Sequence, residues 1–319
     1  MSVRPSADRV GITSVRGSAA SLHLAARWVA GFLVSVLFPL IAATPVLAQP
    51  RPSSAAVQPV VCPDGQPADG IYRLGNNQHC LVAVRIEPAK VRTRTLVVFL
   101  HGDIGGRIDL ADPNGAGAAP AALALQLGVV TFALQRPGYE SNAGRSDSDR
   151  KGAGGKRGDD YTPDNLRIVA DALQHLRRLN PDRKLLLVGY DGGAATAALL
   201  ANRFPASADA YLLAACPCDV PAWRQSRIAF EGPAASPWTR SLSPLGETAG
   251  VPPAALMHVL VGARDENTWP RFSEAYVAAL QKRGVKTRVT YAAGATHVSV
   301  LRAPEFFMLA GDLAGRLSR

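Results

Sequence analysis

Aromatic residues make up only 6% of the 319-residue chain, and no basic run is interleaved with them. The stacking platforms and phosphate-tracking stripes of a nucleic-acid binder are therefore missing. No internal repeat is present, so a solenoid or propeller is excluded. The apolar stretch at 28–43 is too short, and too interrupted by Gly31 and Pro39, for a comfortable membrane span. Cysteine occurs only four times, at Cys62, Cys80, Cys216 and Cys218, with no flanking thioredoxin-like pattern. Structure is favoured over redox catalysis.

The same 28–43 stretch follows Arg4, Arg9, Arg16 and Arg27 and precedes the small-residue site Val46-Leu47-Ala48. That order is expected of a secretory signal covering residues 1–48, with an uncleaved anchor as the competing reading. Those 48 residues hold four of the 35 basic and one of the 25 acidic residues, so the remainder carries a net charge of about +7. Spread along 271 residues, this is solvated surface. A periplasmic or secreted protein is expected, with a small-molecule or peptide substrate, no nucleic-acid partner and no stable membrane association after cleavage. In that compartment four cysteines suggest two disulfides, and three pairings are open. A Cys62–Cys80 bond would staple an N-terminal hairpin, whereas Cys216-Pro217-Cys218 fits a small ring, a metal-binding pair or two buried thiols.

Residues 49–57 read as a Pro, Ser and Ala linker, and 58–319 as one domain. Short opening strands fall at 70–74 and 81–87. Apolar strands at 95–100, 129–134, 184–188, 210–214, 257–261 and 286–291 then alternate with helices at 118–127, 163–179, 194–202, 269–283 and from Pro304 onward. Thr162-Pro163 caps the second helix, whose Leu166, Val169, Leu173 and Leu176 share a face. This alternation predicts an α/β domain with a mostly parallel sheet covered on both faces. Two long loops follow strand ends, where open α/β sheets place ligands. Loop 141–160 carries five glycines and nine charges and reads as solvated; segment 216–255, with Trp223, Phe230 and Trp238, reads as an irregular, lid-like insert.

The chemistry-bearing residues sit at strand ends. Leu187-Val188-Gly189-Tyr190-Asp191-Gly192-Gly193-Ala194 joins a buried strand to a helix former through small residues, the setting of a strained turn that projects its central side chain. A later strand leads into Gly262-Ala263-Arg264-Asp265, next to Glu266, and the last into Gly294-Ala295-Thr296-His297. In this order Asp265 would orient the imidazole of His297, and His297 would move protons. Upstream, His101-Gly102-Asp103-Ile104 opens a loop whose Asp103 N–H, with that of Gly192, would supply oxyanion donors. His101 reads as a loop organiser; His79, His175 and His258 read as structural or exposed. No cofactor and no metal site is expected.

These motifs, with Arg136-Pro137-Gly138-Tyr139 after the second parallel strand, resemble the α/β-hydrolase superfamily over nearly all of the chain from Thr95 to Leu317. Within it the chain looks most like secreted bacterial serine hydrolases of the esterase and acyl-peptidase type, whose turn reads Gly-His-Ser-Gly-Gly. This sequence departs at Tyr190 and Asp191. The resemblance implies a hydrolase with Asp191, Asp265 and His297 in the catalytic positions. Aspartate at that turn is the mark of haloalkane dehalogenases, fluoroacetate dehalogenases and epoxide hydrolases. Against them stand Gly192 in place of a tryptophan, Ile104 in place of a proline, and no tyrosine within 216–255. The leading expectation is an exported hydrolase of the esterase and peptidase lineage with an altered, impaired nucleophile position. The alternatives are a working aspartate-nucleophile hydrolase and a non-catalytic binding protein.

Overall fold

The computed structural model describes residues 62–65, 67–103, 108–110, 112, 117–149, 158–232 and 236–319. All of them belong to the compact unit Val57–Arg319. The expected export segment, the linker and Ile104 lie outside the described residues.

Eight strands form one sheet in the order β1-β2-β4-β3-β7-β8-β9-β10. These are β1 (Ile71–Gly75), β2 (Cys80–Ile86), β3 (Leu96–Leu100), β4 (Val130–Leu134), β7 (Leu185–Tyr190), β8 (Ala210–Ala214), β9 (Leu256–Gly262) and β10 (Val289–Ala292). A two-residue pair, β5 (Glu140–Ser141) with β6 (Gly144–Arg145), stands apart. β2 runs antiparallel to both neighbours, and every pairing from β4 to β10 is parallel.

The wholly apolar central strands are explained by two cores. Alternate side chains of a strand face opposite ways, so Val98 and Leu187 enter one core while Val97, Leu186 and Val188 enter the other. The first is closed by α2 (Pro163–Leu179), α3 (Gly192–Arg203) and α5 (Pro270–Lys282), the second by α1 (Ala118–Leu127) and α6 (Pro304–Leu317). Burial on both faces is why these strands read as continuous hydrophobic runs. The α2 stripe packs inward as expected, and Thr162 caps the helix by accepting the Asn165 N–H at 3.2 Å.

Two parts of the sequence reading need correction. Segment 216–255 is not irregular throughout: it opens with α4 (Val220–Glu231), capped by Asp219, which accepts the Ala222 N–H at 3.2 Å. The Asp219-Val220-Pro221 start, an N-cap followed by a first-turn proline, carried that information. The described ends of loop 141–160 are not free in solvent either. Asp149 has a side chain only 6% exposed and pairs with Arg240, and Asp159 accepts the backbone N–H groups of Thr239, Arg240 and Ser241 at 3.1, 2.9 and 2.6 Å. Charge there serves as internal bracing between two loops.

Both cysteine pairs are disulfides, Cys62–Cys80 beside the β1–β2 hairpin and Cys216–Cys218 buried at the root of the insert. No helix among the described residues is long and apolar enough to cross a membrane.

Candidate active site

The β7–α3 turn forces Asp191 to φ 50°, ψ −120°, a region that a residue with a Cβ enters at a cost of about 1–3 kcal/mol. Strain of that size persists only where the surroundings dictate it. Here the Asp191 N–H is held by the Ala214 carbonyl at 3.0 Å, and the Asp191 carbonyl accepts Ala194 N–H at 2.8 Å. The turn closes against backbone: a Cβ on Gly189 would sit 2.3 Å from the Gly193 carbonyl oxygen, and one on Gly193 only 2.1 Å from that of Leu100. Both positions therefore require glycine.

Asp191 is 5% exposed, and its carboxylate is asymmetrically held. Oδ2 accepts the Asp103 N–H at 2.8 Å, with the Gly192 N–H also favouring the carboxylate. Oδ1 has no hydrogen-bond partner and lies 3.8 Å from Nε2 of His297, beyond hydrogen-bond range. One of the two N–H groups expected to bind a substrate's oxyanion, that of Asp103, is thus already taken by the protein's own carboxylate. Burial, then the nearby Asp103 charge, push the Asp191 carboxyl up to about 6, against the opposing pull of His297 and of the nearby Asp103 and Gly192 N–H groups.

His297 and Asp265 come together from the loops after β10 and β9. Nδ1 lies 3.0 Å from Asp265 Oδ2. The buried Asp265 is fixed from below by the N–H groups of Asn267 and Thr268 at 2.9 and 2.8 Å, while the adjacent Glu266 points to solvent. Thr268 Oγ1 donates to Asp265 Oδ2 at 2.8 Å and so can only accept from Nδ1, 3.1 Å away. That network assigns the proton to Nδ1 and leaves the Nε2 lone pair facing Asp191. Burial by itself would lower the proton affinity of His297; the Asp265 hydrogen bond and the charges of Asp191 and Asp265 outweigh it and raise the net value.

Several contributors escaped the sequence reading. Thr268 signals itself only through its Asp265-x-x-Thr268 spacing, a side-chain-to-backbone turn. Tyr190, where the resemblance leads one to expect histidine, donates to the His297 carbonyl at 3.2 Å and packs its ring 5.2 Å from the imidazole. His101, by contrast, reads as a loop organiser from the sequence, and here it brackets two loops, bonding the Gly102 carbonyl through Nδ1 at 2.8 Å and accepting Arg136 N–H through Nε2 at 3.1 Å. Tyrosine is absent from 216–255, yet Tyr161 reaches the site from the segment before α2, donating to Asp103 Oδ2 at 2.5 Å.

The described residues contain no group of three or more His, Cys, Asp or Glu arranged to hold a metal ion.

No protein-family model and no curated protein matches the chain. Solved structures do. An esterase from Pyrococcus furiosus superposes with a TM-score of 0.59 at 12% identity, over 78% of this chain and 92% of its own. A proline iminopeptidase from Mycobacterium smegmatis gives 0.56 at 13% over 78% and 98%. An acylaminoacyl peptidase from Pyrococcus horikoshii gives 0.52 at 15% over 75% of this chain and 39% of its own. At such identities the likeness concerns the fold: this chain has the α/β-hydrolase fold.

Proposed function

We propose that the protein is an exported hydrolase in which Asp191 is the nucleophile, attacking saturated carbon to form an ester with the enzyme that His297 then hydrolyses. The observation that carries this reading is the asymmetry of the Asp191 carboxylate. A serine-type acyl transfer needs the Asp103 and Gly192 N–H groups free for the substrate's developing oxyanion, and Asp191 Oδ2 already takes the first of them. Attack on an alkyl carbon, from a halide or an epoxide, builds no tetrahedral oxyanion on a carbonyl in its first step. The unpartnered Oδ1 displaces the leaving group with its bonding electrons, either a halide that departs or an epoxide oxygen that stays attached as an alkoxide and takes a proton from solvent, and the Asp191 Cγ becomes an ester carbonyl.

The second step uses the rest of the site. Water, deprotonated by Nε2 of His297, attacks Cγ; negative charge collects on Oδ2, where the Asp103 N–H already lies; collapse expels the alkoxide, which takes the proton from His297 and leaves as the alcohol, and the carboxyl loses its own proton to restore the carboxylate. Esterification also removes the Asp191 charge, one of the contributions that raise the proton affinity of His297. The imidazole is thereby released as a base when it is needed. Segment 216–255 would act as a lid over this chemistry.

A second reading, a serine-hydrolase frame that has lost its nucleophile and binds without cleaving, is favoured by one observation. With Asp191 ionised, its charge helps to hold His297 protonated, which would remove the base. The absence of a tryptophan at Gly192 points the same way. To separate the two, His297→Gln is incubated with haloalkane and epoxide panels and followed by intact mass and peptide mapping, and Asp191→Ser is assayed with activated esters. The proposal expects an alkyl adduct on Asp191 and a hydrolytic rate lowered by about 10² to 10⁴ in the His297 variant. No adduct from either panel, together with ester hydrolysis gained by Asp191→Ser, would establish the second reading instead.

A further inference from the structure

Asp103 does more than lend its backbone N–H. Its carboxylate is held from two other segments: Oδ1 accepts from Arg136 Nη1 at 2.8 Å and the Tyr139 hydroxyl at 3.3 Å, and Oδ2 accepts from the Tyr161 hydroxyl at 2.5 Å. Arg136 is 3% exposed and also donates to the His101 carbonyl at 3.3 Å, so the cation is fixed independently of Asp103. The carboxylate lies directly over the first residue of α3. A Cβ on Gly192 would fall 2.3–2.5 Å from its Cγ and both oxygens. This accounts for the glycine that follows Asp191, because any side chain there would evict Asp103.

Tyr161 continues the chain of contacts into the insert. Its ring meets Trp238 edge-on at 5.3 Å, Trp238 meets Trp223 at 5.1 Å, and the Trp223 indole N–H donates to Asn267 Oδ1 at 3.4 Å. Asn267 in turn donates its N–H to Asp265. One continuous set of contacts thus runs from the donor at Asp191, through the insert, to the acid behind His297.

We infer that the Asp103 side chain is a positioning residue, clamped by Arg136 and Tyr161 so that its N–H stays on Asp191 Oδ2 and the insert is tied to that donor. The inference rests on the reading of Asp191 as the reacting carboxylate for its catalytic consequence, but its geometry can be measured without turnover. The charged and titratable groups around Asp191 are Asp103, His297, Tyr190 and Tyr161; those around Asp103 are Arg136, His101, Tyr139, Tyr161 and Asp191. The Asp103 charge raises the proton affinity of Asp191, so its removal has a definite sign, and the unpaired Arg136 cation left behind acts in the same direction.

The test follows the Asp191 carboxyl by ¹³C NMR in the full chain, using aspartate labelling and Asp191→Asn for assignment. Asp103→Asn keeps the shape and the N–H but loses the charge. Its Asp191 midpoint is expected to fall by about one unit or more, and an unchanged midpoint in a folded variant overturns the inference. Should Asp103→Asn fail to fold, Tyr161→Phe leaves the ion pair intact and decides the matter by amide exchange. Exchange at the Asp103 N–H is expected to quicken about tenfold as its anchor is lost; exchange at the parent rate, even with a lowered Tm, reduces the hydroxyl to a packing contact and overturns the inference. Neither readout depends on finding a substrate, so a failure of the aspartate-nucleophile reading leaves this one separately decidable.

Discussion

The turn that carries Asp191 and the roof above it are built by different physics. The turn is made by burial and backbone crowding: strands β3, β7 and β8 are apolar on both faces, α3 is alanine-rich and buried, and two glycines let backbones approach where no Cβ fits. The roof is held by single polar contacts between distant segments, Asp159 on three N–H groups of 239–241, Asp149 on Arg240 and Tyr161 on Asp103. A frame made by burial tolerates little change in volume. A roof made by individual polar bonds can be loosened bond by bond.

Four substitutions break or sharpen this contrast. Gly193→Ala in the turn places a methyl 2.1 Å from a backbone oxygen and is expected to cost about 4 kcal/mol or more, read as loss of the folded state in denaturant melts. Asp191→Asn works in the other direction. A carboxyl raised from 3.8 to about 6 by folding contributes stability that is full below pH about 4 and is lost as pH rises through 6. The asparagine variant should therefore exceed the parent by about 3 kcal/mol at pH 8, with the gain vanishing near pH 4; an equal gain at both pH values would show that desolvation of the charge is not its source.

In the roof, and beneath the imidazole, the effects are smaller. Asp159→Ala strips three N–H groups of their acceptor and should cost about 2 kcal/mol, with hydrogen exchange quickening at 239–241 while the β7–α3 turn stays protected. Quickening in both places would contradict the separation of the two regions. Thr268→Val removes one arm of the three-way contact among Asp265, Thr268 and His297 and should cost about 1 kcal/mol, read in thermal melts, with Asp265 still holding Nδ1.

The contrast also explains what the sequence disclosed. Strand and helix positions, the cap at Thr162 and the order Asp191, Asp265, His297 follow from periodicity and spacing, and each is a local or evenly repeated signal. The helix α4 was legible in Asp219-Val220-Pro221 but was masked by the proline- and serine-rich composition that follows it. The side-chain role of Asp103 was not legible, because its partners lie 33, 36 and 58 residues away and are joined only by the fold. Loop 141–160 misled for a related reason: charge density signals solvation unless the acceptors find backbone N–H groups, which Asp159 does.

The central claim is that a carboxylate oxygen of Asp191, rather than water, attacks the substrate. It is tested most directly by a single turnover in H₂¹⁸O with enzyme in excess over an alkyl halide or epoxide that forms the Asp191 adduct. The aspartate mechanism predicts unlabelled alcohol in the first turnover and one ¹⁸O in the peptide containing Asp191. Labelled alcohol with unlabelled Asp191 would contradict it.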